Sequence, residues 1–134
     1  FYRGLVYAAG GLDSQLAGES TEMIRQSLKG NESVIHAVLR QGLVTHNGRL
    51  QMPAIQSIEA LIDSLDSEFL RECAAWLRGE FVAKCTNIRK LMIAFRLLKR
   101  MHMRGCDDAL GDFLLEQSQS HQYPAIRQLL LASE

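Results

Sequence analysis

Residues 81–105, FVAKCTNIRKLMIAFRLLKRMHMRG, decide the fold class. No proline interrupts them and no glycine occurs before Gly105, while Ile88, Leu91, Met92, Phe95, Leu98 and Met101 recur at the three- and four-residue spacing of one apolar helix face. The pattern predicts one long helix from Phe81 to Arg104, stopped by Gly105 at the position where helices favour a left-handed residue. Opposite the apolar stripe, Arg89, Arg96, Arg100 and Arg104 fall within an arc of roughly 80° when each residue advances 100°. Such a helix must lay its apolar side against other helices, and the flanking sequence supplies them.

Towards the N-terminus, Pro53 suits the first position of a helix, where its missing N–H is harmless, and Ile55, Ile58, Leu61, Ile62 and Leu65 form the stripe that follows. Asp66 or Ser67 caps another helix carrying Phe69, Leu70, Cys73, Trp76 and Leu77 up to a stop at Gly79. Earlier still, Ser20 or Thr21 opens a helix that Gly30 ends, and Asn31 caps a second from Glu32 to Gln41, so the two read as a helical hairpin. The Asn47-Gly48 pair marks a loop between two halves, and only Gly4 to Tyr7 carries any strand signal. Towards the C-terminus, Asp107 and Asp108 suit the first turn of a helix with Leu110, Phe113 and Leu114 on its face. Pro124 starts the last one, with Ile126, Leu129 and Leu130 inward.

Six or seven helices joined by short connections imply an all-α domain of antiparallel helical hairpins. They could close as an irregular bundle or stack as a short α-solenoid fragment of the HEAT or armadillo kind. The second option rests on helix length alone, since there is no self-similarity at the spacings of tetratricopeptide, ankyrin or armadillo units. With 134 residues, 47% apolar and 22% charged, the chain is expected to fold as a single interaction domain over residues 1–134, excised from something longer because it begins at Phe1. No apolar run approaches the roughly 18 residues of a membrane span. Cys73, Cys85 and Cys106 lack ligand-like spacing and read as free, buried thiols of a reducing, cytoplasmic setting.

Charge carries the functional reading. Residues 81–106 hold seven basic side chains and no acid, the segments 53–80 and 107–134 each sum to −4, and the whole chain is neutral. Arg89, Lys90, Arg96, Arg100 and Arg104 are therefore the candidate partner-binding residues, with a protein partner, acidic in character, as the leading expectation. Compensation by the acidic flanking segments is the competing, purely structural account. Nucleic acid ranks second, because the pI is about 7.1 and no RNP, KH, GXXG or zinc-finger pattern occurs.

No catalytic, cofactor-binding or metal-binding residue is assigned, and a non-enzymatic role is expected. His36, His46, His102 and His121 are scattered. Cys73 or Cys85 on a helix interior would be an inert thiol rather than a nucleophile. Asp63 with Asp66, and Asp107 with Asp108, read as caps and solvated charges. Gly10-Gly11 lacks phosphate-loop spacing and reads as a turn. Trp76 is expected in the core, and Met92, Met101 and Met103 give the basic helix an adaptable apolar side.

Overall fold

The computed structural model describes residues 2–10, 14–45 and 48–132, and every regular element among them is helical. The all-α class is thus as the sequence implies, and Gly4 to Tyr7 lies within helix α1 (Tyr2–Ala9) rather than in a strand. Contacts gather the chain into two units, Phe1–Phe69 and Leu70–Glu134.

In the first unit, α1 and α3 (Gly48–Ala60) both pack against α2 (Ser14–Val44) and against each other. The expected hairpin at Gly30-Asn31 is instead a kink inside α2: Asn31 alone leaves helical geometry, at φ −135° and ψ 26°, and its side-chain amide donates to the Ser27 carbonyl at 3.1 Å. Asparagine bonds locally to backbone in this way, which is why it disturbs a helix interior. One helical run thereby delivers Ile24, Ile35, Leu39 and Leu43 to a core completed by Ile55, Ile58, Leu61 and Ile62, all of them buried.

Pro53 is not the first residue of its helix but lies inside α3, one and a half turns from its start. The missing N–H removes an intrahelical bond there, and the fully buried Ala54, Ile55 and Ile58 next to it offset that loss. The backbone of Gly10 lies so close that a Cβ would sit 2.3 Å from the Pro53 carbonyl oxygen. Beside this contact the buried Ser57 hydroxyl donates to the Val6 carbonyl at 2.8 Å, tying α3 to α1. Gly10 is in a turn, as read from the sequence; Gly11 and the Asn47 half of the Asn-Gly pair lie outside the described residues.

The boundary between the units falls within α4 (Ser67–Trp76), whose cap is Asp66: its carboxylate accepts from the backbone N–H groups of Glu68 and Phe69. Beyond α4, Gly79 does not stop the helix. It lies within a π-helical turn, Leu77–Phe81, in which the Val82 N–H reaches back to the Leu77 carbonyl and the Trp76 and Phe81 rings come to 6.2 Å.

The expected long helix from Phe81 is also broken. After the short α5 (Val82–Lys84) the backbone extends at Cys85 and Asn87, and α6 runs from Ile88 to Met103. The Asn87 side chain accepts from the Lys90 N–H at 3.1 Å, so the residue that a continuous helix would have to accommodate in its interior begins a new one. Gly105 ends α6 as expected, at φ 71°: its N–H bonds to the His102 carbonyl and the Cys106 N–H to that of Met101, the paired bonds of a Schellman close. The Asp107 carboxylate then accepts from the Ala109 N–H, at the start of α7 (Ala109–Ser120), and Pro124 is the first residue of α8 (Pro124–Leu131). Leu91, Phe95, Leu98 and Met101 of α6 are buried with Leu110 and Leu114 of α7 and Ile126 of α8.

Candidate functional site

Helix α6 turns an arc from Leu97 through Leu98 to Phe95 inward, and all six of its buried residues lie on it. Arg89, Arg96, Arg100 and Arg104 are exposed on the other side, spread over about 22 Å of helix at 1.5 Å per residue. Lys90 is half-buried and lies off the arginine arc, between Leu97 and Met101 on the inward side.

The apolar stripe is narrower than the sequence implies. Ile88 and Met92 are not core residues; they are 42% and 37% exposed, and Met103 is 64% exposed. On the helical wheel these three fall in one sector directly beside the arginines, so the outer face of α6 pairs a row of guanidinium groups with a row of flexible apolar side chains. Periodicity alone could not find this, because the edge of the buried arc depends on how α7 and α8 cover the helix.

Part of the positive charge serves the fold. Lys99 donates through Nζ to the Leu129 and Ala132 carbonyls, satisfying acceptors at the end of α8, where a cation also meets the negative end of the helix dipole. Lys84 pairs with Glu80 at 2.8 Å on the surface, and Arg78 lies 3.7 Å from the Asp107 carboxylate that caps α7. The cap reading of Asp66 and of Asp107 therefore holds. Asp108 contributes no side-chain cap bond.

The remaining candidates are dispersed. His36 stacks on Phe69 with centroids 4.2 Å apart, and its Nε2 is buried without a hydrogen-bond partner, 3.9 Å from a Glu32 carboxylate oxygen. His102 is exposed, its ring over Gly111, and His46 lies outside the described residues. His121 joins α7 to α8, and its pKa is lowered from the usual histidine value, first by burial and then by the charge of Arg127.

Cys73 and Cys106 are buried free thiols, whereas Cys85 is half-buried in the extended break and not on a helix. Trp76, expected in the core, is only half-buried at the end of α4, its ring tilted against that of Phe81. No group of three or more potential metal ligands occurs among the described residues. A cavity of about 250 Å³ in the first unit is lined mainly by apolar groups, among them Val6, Tyr7, Val38 and Leu50.

Among the described residues no helix is long and apolar enough to cross a membrane. Comparison with known families, curated proteins and solved structures finds no match to this chain.

Proposed function

We propose that this chain is a protein–protein interaction module of an intracellular scaffold or regulator, and that it engages an acidic partner through the outer face of α6. One observation carries the reading: Ile88, Met92 and Met103 are exposed in the sector adjoining Arg89, Arg96, Arg100 and Arg104. Arginine and methionine are among the residue types enriched where proteins meet, since a guanidinium binds carboxylates bidentately and a thioether side chain adapts to varied apolar shapes. A cytoplasmic setting belongs to the same proposal, since buried thiols such as those of Cys73 and Cys106 suit a reducing compartment.

A row of arginines also suits phosphates, and the two kinds of partner respond differently to salt and to the methionines. Nucleic-acid binding releases counterions and weakens steeply with salt, in proportion to the number of phosphates neutralised. A protein interface with an apolar component weakens less and depends on the apolar groups.

The test is co-purification of partners with the protein at rising salt, alongside fluorescence anisotropy with a 20-nucleotide RNA. A protein retained at high salt and lost on Met92→Glu or Met103→Glu supports the proposal. Tight RNA binding with a steep salt slope, unaffected by the methionine substitutions, overturns it.

A further inference from the structure

Helix α8 is fastened more by its two ends than by its middle. Ile126 is its only fully buried residue, Leu129 and Leu130 are half-buried, and Leu131 is 67% exposed. At the C-terminal end, Lys99 of α6 holds the Leu129 and Ala132 carbonyls. At the N-terminal end the fastening centres on His121: its Nδ1 accepts from the Tyr123 N–H at 3.0 Å, and its own carbonyl accepts from the Arg127 guanidinium. Its ring stands perpendicular to Phe95 of α6 at 5.5 Å, and the neighbouring Tyr123 hydroxyl donates to the Thr86 carbonyl at 3.2 Å.

We propose that α8 is a strap across α6 whose N-terminal clasp opens when His121 is protonated at mildly acidic pH. Only a neutral imidazole with its proton on Nε2 offers Nδ1 as an acceptor. A proton on Nδ1 sets one N–H against another and places a second positive charge beside Arg127.

Among the described residues the charged group facing His121 is Arg127, from α8. The other contacts are uncharged: the Phe95 ring from α6, the Gln117 carbonyl from α7, which accepts the His121 backbone N–H at 3.0 Å, and the Tyr123 ring at 5.5 Å in the connection. Burial and Arg127 hold the folded-state pKa below that of an unfolded histidine. The clasp is therefore fully formed above about pH 6.5 and weakens as pH falls from there through the folded-state value, because the released state binds the extra proton.

The test is hydrogen exchange on the 134-residue chain between pH 7.5 and 5, read as protection factors. Protection of the α8 amides from Arg127 to Ala132 should fall by about tenfold for each unit of pKa separation, while those of α7 hold. In His121→Asn, whose side-chain oxygen can accept the same N–H two residues on without titrating, α8 protection should be independent of pH. An equal fall in His121→Asn, or none in the wild type, overturns the proposal. Should the variant not fold, imidazole NMR of the wild type decides: a proton on Nε2 and an apparent pKa below 6.5 support the clasp, and a proton on Nδ1 or a higher pKa overturns it.

Discussion

Phe95 lies in the middle of the second unit, 6.3 Å from the Phe113 ring and perpendicular to His121. Phe95→Ala should leave a cavity that its neighbours cannot fill and lower unfolding free energy by about 3–5 kcal/mol in urea titration. Trp76→Ala should lose less than that, because the indole is half-exposed and meets Phe81 only at 6.2 Å and a tilt of 41°. The reverse order would contradict the placement of both rings. Gly10 is constrained by space, since an added Cβ meets Pro53 backbone atoms between 2.3 and 2.7 Å away, and backbone cannot rotate aside as a side-chain tip can. Gly10→Ala should cost about 1–3 kcal/mol, whereas Gly30→Ala, with nothing near the added carbon, should not show a clash of that kind in the same titration.

At the scale of elements, the break between α5 and α6 depends on Asn87. Removing its side-chain acceptor by Asn87→Ala should destabilise the protein by about 0.5–2 kcal/mol. An unchanged urea midpoint would mean that the cap contributes nothing. The boundaries set by a single local group were legible in the sequence: the Asp66 cap, the Gly105 close and Pro124 at the start of α8 each need only the residue and its own backbone. The π turn around Gly79 and the position of Pro53 inside α3 were not, because neither follows from the residue and its own backbone; at Gly30-Asn31 the interruption was legible, but not that the helix runs on through it as a kink. The same division applies to the site. The four arginines share an arc by helical geometry alone, so their common exposure could be read from spacing. Whether Ile88 and Met92 face inward depends on the reach of α7 and α8, and Lys99 finds its role only once the carbonyls of α8 have been brought to it.

Across the whole molecule the formal charge is zero, yet seven positive charges fall within residues 81–106. Exposed charges contribute little to folding, about 0–1 kcal/mol per pair, and are screened by salt; the four arginines that share the outer face of α6 are the ones to which the proposal assigns recognition. Charge-driven recognition also predicts slower association as ionic strength rises, with dissociation governed more by the apolar groups beside the arginines. The most direct measurement is the paired substitution Arg96→Glu with Arg100→Glu in the protein, followed by thermal melting and partner co-purification on the same preparation. A melting temperature close to that of the wild type together with loss of the partner is the predicted result. A markedly lowered melting temperature with the partner retained would mean that these arginines hold the fold together instead, and would contradict the assignment of α6 as a binding face.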